Sequence, residues 1–77
     1  MPHVPIIFSR HALIKLEQRG LTKEAVIKTI MEPVYITAVA DQFHAFRKFG
    51  RLYLKVIFAR SEKRIIVITQ YLVRKLP

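Results

Sequence analysis

Residues 34 to 74 hold four stretches rich in β-branched and aromatic residues, VYITAVA, FHAFRKF, LYLKVIFAR and RIIVITQYLVR, with very little chain between them. Such side chains fit a pleated, half-buried surface. Gly50-Arg51 and Ser61-Glu62-Lys63 supply turn residues between the last three stretches, and short turns join antiparallel neighbours. The expectation is an antiparallel sheet of three or four strands.

A two-residue turn at Gly50-Arg51, with Gly first as a type II′ turn prefers, pairs Phe49 with Leu52. That register sorts the side chains into two faces. One carries Phe43, Ala45, Phe49, Leu52, Leu54, Val56 and Phe58, and is the core side despite the intrusion of Arg47. The other carries His44, Phe46, Lys48, Tyr53, Lys55 and Ile57, and is open and basic. If the last loop has three residues, Arg60 pairs with Arg64, which puts Thr69 and Tyr71 on the open face with Lys55 and Tyr53. Ile65 and Val67 then fall on that face too, and a two-residue loop would reverse the assignment.

Two short helices precede the sheet. Ser9 is an N-cap and Gly20 a C-terminal stop for a helix of about ten residues. Ala12, Leu13, Leu16 and Leu21 recur at helical spacing, leaving His11, Lys15, Gln18 and Arg19 on another side. Thr22 caps a second helix, in which Val26, Ile27, Ile30 and Met31 form an apolar face and Pro33 forces an end near Met31. A helical hairpin of this kind packs on something flat. Residues 1–77 are thus expected to form a single α+β domain, two N-terminal helices on a three- to four-stranded antiparallel sheet.

Seventy-seven residues allow one core, since a chain this short buries only about two-thirds of its unfolded surface. There is no cysteine, so no disulfide or thiolate site contributes, and a reducing cytoplasm is the expected compartment. His3, His11 and His44 lack paired-ligand spacing, so neither a metal nor another cofactor is expected. No apolar run approaches the roughly 20 residues of a membrane helix, and MPHVPIIF does not resemble a secretion signal. Fourteen Lys and Arg against five Asp and Glu leave a net charge of +9. A field of that sign attracts polyanions, of which nucleic acid is the commonest inside a cell. The bases are spread along the whole chain, so a folded surface must present them; an idle basic surface kept for solubility is the alternative.

His11 stands in the first turn of its helix, where the dipole and the neighbouring Arg10 and Lys15 favour a neutral imidazole able to take a proton. The same pattern fits a surface histidine that only packs against the sheet. Lys55 interrupts LYLKVIF with an ammonium where an RNA phosphate could cross, and Thr69 and Tyr71 add a hydroxyl and a phenol on the same face. Threonine is also an ordinary strand former, so the set matters more than its members. Lys48, Arg51, Lys63 and Arg64 cluster at strand ends, and Phe46 and Tyr53 interleave with them. Bases that follow a backbone beside aromatic rings suit single-stranded nucleic acid, although such rings also serve as hydrophobic mass. No glycine-rich phosphate loop, nucleophile elbow or carboxylate pair is present.

F-S-x-H-A at residues 8 to 12, E-x-R-G at Glu17 to Gly20, the Thr-capped second helix, L-K-V at 54 to 56 and I-I-V-I-T-x-Y at 65 to 71 occur in that order. Together they resemble the domain-of-unknown-function family 4258, which is grouped with RelE-like, BrnT-like and colicin-type ribonuclease toxins. The resemblance implies a RelE-like α+β fold with a metal-free RNA-cleaving site on the open side of the sheet. It carries the family's helix histidine onto His11, its arginine onto Arg19, its strand lysine onto Lys55, and its late threonine and tyrosine onto Thr69 and Tyr71. The expected activity is that of a small endoribonuclease, the toxin of a toxin–antitoxin pair, leaving a 2′,3′-cyclic phosphate. His11, Lys55, Thr69 and Tyr71 are the catalytic candidates, and Arg10, Lys15, Arg19, Lys48, Arg51 and Tyr53 the RNA-binding ones. The expected partners are RNA and a small acidic antitoxin that covers Lys48 and Lys55 or blocks His11. A non-catalytic basic module that binds nucleic acid, or a protein target such as DNA gyrase, is the alternative.

Overall fold

Ser9 and Thr22 start the two helices by the same device. In the computed structural model, which describes residues 4–77, the Ser9 hydroxyl accepts from the Ala12 N–H at 3.0 Å and the Thr22 hydroxyl from the Ala25 N–H at 3.1 Å. Each satisfies an amide that the first helical turn leaves without a partner. Helix α1 spans Arg10–Gln18 and helix α2 spans Lys23–Met31. Gly20, at a φ of +64°, makes the tight link between them. His3 lies outside the described residues.

The order along the chain is β1 (Ile6–Phe8), α1, α2, β2 (Tyr35–Val39), β3 (Gln42–Phe49), β4 (Leu52–Arg60) and β5 (Ile65–Val73). This is a mixed α+β arrangement with one five-stranded sheet in the order β1-β5-β4-β3-β2. The expectation of three or four strands, all antiparallel and all after the helices, is corrected at one place. A strand precedes α1, and it pairs with β5 in parallel, Ile6 with Ile65 and Phe8 with Val67. A parallel pair needs a long crossover, and here nearly the whole chain provides it.

The β3–β4 hairpin follows the expected register, Phe49 opposite Leu52 and Ala45 opposite Val56. Gly50 has a φ of +63° and Arg51 has no positive φ, the signature of a type II′ turn. The β2–β3 turn at Ala40-Asp41 reaches its geometry without glycine, with Ala40 at a φ of +58°.

The loop between β4 and β5 has four residues, because Arg60 pairs with Ile65 rather than with Arg64. Ser61 organises it, its hydroxyl accepting from the amides of Lys63 and Arg64. Ile65 and Val67 therefore face the core and are buried, contrary to the expectation that they share the open face. Thr69 and Tyr71 nonetheless reach that face, opposite Ile57 and Lys55, because a bulge at Ile68 shifts the register. One extra residue reverses the side-chain alternation beyond it.

Between helices and sheet, Ala12, Leu16, Leu21, Val26 and Ile30 pack against Ala45, Leu54, Val56, Phe58, Ile65 and Val67. Two residues of the expected apolar stripes stay outside, Leu13 at 39% and Met31 at 57% exposed. Thr29 is buried in α2 instead, its hydroxyl satisfied by donating to the Ala25 carbonyl at 2.8 Å. No helix among the described residues is long and apolar enough to cross a membrane.

Candidate functional site

The registers place Tyr35, Phe46, Lys55 and Tyr71 side by side across β2, β3, β4 and β5, all on the face turned away from the helices. The row sets two rings, a cation and a third ring in succession. The Tyr35 and Phe46 rings lie 5.8 Å apart, and the Lys55 ammonium stands 5.6 Å from the Phe46 ring and 5.4 Å from the Tyr71 ring. At the far end the Arg19 guanidinium lies 5.9 Å from the Tyr71 ring. Cations at such distances are attracted by the ring quadrupole, so the row holds the Lys55 ammonium at one place on the face.

Phe46 is 2% exposed, yet it belongs to no part of the core between helices and sheet. It is buried on the outer face, beside Tyr35 and Lys55. A ring so covered cannot stack on a base, which corrects the expectation that Phe46 and Tyr53 would both serve that purpose. Tyr53 is half-buried, with the Lys48 ammonium 4.7 Å from its ring. Lys48 and Arg51 are exposed at the β3–β4 end.

A second row runs beside the first. Thr37, His44, Ile57 and Thr69 are paired across the same four strands. His44 is half-buried, and burial first, then the Lys55 charge, push its pKa below the ordinary 6.5. Sequence reasoning treated His44 only as a possible metal ligand, although its place beside Lys55 followed from the hairpin register. Among the described residues no three His, Asp or Glu side chains gather where a metal ion could be held.

Arg19 connects the helices to this face. Its guanidinium donates from Nη1 to the Gln70 carbonyl at 2.9 Å. It can do so because β1 pairs only with residues 65–67 of β5, leaving that carbonyl uncovered. The Gln70 side chain, fully buried, donates from Nε2 to the Ala12 carbonyl at 2.8 Å, while its Oε1 has no partner. Gln70 thus ties the start of α1 to β5 by its side chain and the end of α1 by its backbone.

The other helix candidates stand apart. His11 and Arg10 are exposed and Lys15 is half-buried on α1, which packs on the core side of the sheet. Lys55, Thr69 and Tyr71 are brought together on the opposite side, and Arg19, the C-cap of α1, meets this set at the Tyr71 ring. Comparison of the chain with protein-family models, with curated proteins and with solved structures finds no match.

Proposed function

We propose that this domain is a small basic endoribonuclease that works without a metal, of RelE-like architecture and the toxin of a toxin–antitoxin pair. The observation that carries the reading is the Lys55 ammonium standing between the Phe46 and Tyr71 rings, with Thr69 on the same face and Arg19 at the edge. A net charge of +9 brings RNA to such a face. In this reading Lys55 and Thr69 stabilise the charge that grows on the phosphate, and Tyr71 positions the substrate and protonates the leaving oxygen. Arg10, Lys15, Arg19, Lys48, Arg51 and Tyr53 follow the RNA backbone, and the base that activates the 2′-hydroxyl is a histidine, a role expected of His11 from the sequence. The inhibitor is a small acidic protein. Its foothold is the β2 edge, where Tyr35, Ile36 and Val39 are exposed and strand pairing is open.

Total RNA incubated with purified protein in the presence of chelator is expected to gain discrete ends bearing 2′,3′-cyclic phosphate. Lys55→Ala is expected to lower cleavage by about 100-fold or more while its circular dichroism stays unchanged. The separation of His11 from the Lys55 face favours a second reading, a binding module without catalysis. That reading requires intact RNA at every pH and binding that falls steeply with salt.

A further inference from the structure

The reaction needs a proton acceptor on the face that carries Lys55, and His11 stands on the helix side of the sheet. We propose that His44 is the group that takes the proton from the ribose 2′-hydroxyl at the Lys55 site, an inference that rests on the endoribonuclease reading above.

The geometry is that of the sheet itself. His44 is paired with Thr37 on β2 and with Ile57 on β4, and Ile57 is paired in turn with Thr69 on β5. Lys55, two residues from Ile57 on β4, is therefore the diagonal neighbour of His44, at about 7–8 Å between such positions. A phosphodiester seated on Lys55 and Thr69 has the His44 ring on its β3 side. His44 is half-buried, so it meets both substrate and solvent. Its remaining neighbours on this face are Tyr35 and Val39 on β2, Ala59 on β4, and Gln42 and Phe46 on its own strand. Lys55 and Tyr35 are the titratable groups among them, and no carboxylate is present to hold the imidazole in its charged form.

Burial and the Lys55 charge both favour the neutral ring, which is the form able to accept a proton at neutral pH. The step balances within the site. The 2′-hydroxyl proton passes to an imidazole nitrogen of His44, the 2′-oxygen bonds to phosphorus, and the bond from phosphorus to the 5′-oxygen breaks. The 5′-oxygen collects the Tyr71 hydroxyl proton. His44 then releases its proton to water and Tyr71 recovers one, leaving a 2′,3′-cyclic phosphate and a 5′-hydroxyl.

Single-turnover cleavage measured against pH tests the assignment. In the wild-type protein the rate is expected to rise with pH through a titration centred below 6.5 and to level off by neutrality. His44→Gln is expected to lose about 100-fold or more and to lose that acid limb, whereas the limb persists in His11→Gln. In a separate NMR titration, RNA methylated at its 2′-hydroxyls and so uncleavable is expected to raise the His44 midpoint, because a phosphate then lies beside the ring. Cleavage by His44→Gln at the wild-type rate, with the limb intact, overturns this inference alone, as does a His44 midpoint that bound RNA leaves unmoved. RNA left intact by the wild-type protein at every pH overturns the ribonuclease reading and this inference with it.

Discussion

Strand β5 has two halves that obey opposite rules. Before the bulge, Ile65 and Val67 point into the core, with β1 on one side and β4 on the other. After it, Thr69 and Tyr71 point away from the core, while Gln70 lies fully buried beneath α1 and the outer edge is free of β1. In an uninterrupted strand these odd-numbered residues would all share one side. Ile68 breaks the sequence, and Ser9 holds it in place, its hydroxyl donating to the Ile68 carbonyl at 3.2 Å and its amide to the Val67 carbonyl at 3.0 Å. A single strand thereby completes a core with its first half and furnishes a polar face with its second.

Deleting Ile68 sharpens the comparison most. Val67 and Thr69 then follow one another opposite Phe58 and Ile57, so regular alternation keeps Ile65 and Val67 in the core and Thr69 and Tyr71 outside. The expected loss, from the Ser9 bond to the Ile68 carbonyl and the local repacking, is about 3 kcal/mol, seen as a lowered but still cooperative midpoint in urea. Disappearance of the cooperative transition would show that the bulge itself, and not the alternation on either side of it, holds the two halves.

Exchanging single side chains sharpens the contrast. Val67→Ala is expected to cost about 2 kcal/mol, from lost burial and the cavity left behind, with the cleavage rate retained. Thr69→Ala is expected to shift stability by less than about 0.5 kcal/mol and to slow cleavage. Urea melts and rates on the same two proteins measure both, and equal stability losses at the two positions would remove the distinction.

A smaller effect is expected at Gln70, whose Oε1 is buried without a partner. Gln70→Met removes that unsatisfied oxygen together with the bond to the Ala12 carbonyl. Stability should hold or rise by up to about 1 kcal/mol. A clear fall in the thermal midpoint would mean that Oε1 has a solvent partner worth more than the apolar replacement.

The smallest effect is the pH dependence of folding contributed by His44. Its folded pKa lies below the ordinary 6.5, so between those two values the unfolded chain binds more protons than the folded one. Stability from this group is complete above 6.5 and declines as pH falls toward the folded value. His44→Gln should flatten that slope in urea melts between pH 7 and 5; an identical slope would mean that burial does not act on this imidazole.

The parts of this fold that could be read from the sequence are those set by neighbours in the chain. Ser9 and Thr22 as caps, Pro33 ending α2 and Gly50 turning β3 into β4 each act within a few residues, and each is found as expected. What escaped depends on distant partners. Ile6–Phe8 is three residues long, too short to show a period, and its pairing is set by Ile65–Val67 at the other end of the domain. The bulge has neither Gly nor Pro to mark it. Lys55, Thr69 and Tyr71 share one face as expected, but not for the expected reason: the loop has four residues instead of three, and the bulge at Ile68 cancels that difference. Arg19 reaches them only because β1 is short. The hairpin register set His44 on the open face with Lys55, but its half-burial there depends on packing that the strand pattern does not show.

The parallel pairing of β1 with β5 has a consequence for how the protein comes into being. Ribosomes deliver the chain from its first residue onward, and β1 and α1 emerge early with their docking strand still unmade. When strand β4 follows it has β3 beside it but not β5, and the Gln70 carbonyl that receives Arg19 does not yet exist. Thr69 and Tyr71 also belong to this last strand. A growing chain therefore carries its bases, including Lys55, without the arrangement that gives them a site, and that arrangement appears only when residues 65 to 73 leave the exit tunnel. Because such long-range closure is slow compared with local helix formation, an interval follows synthesis in which a binding partner can meet the unfinished sheet before any RNA does.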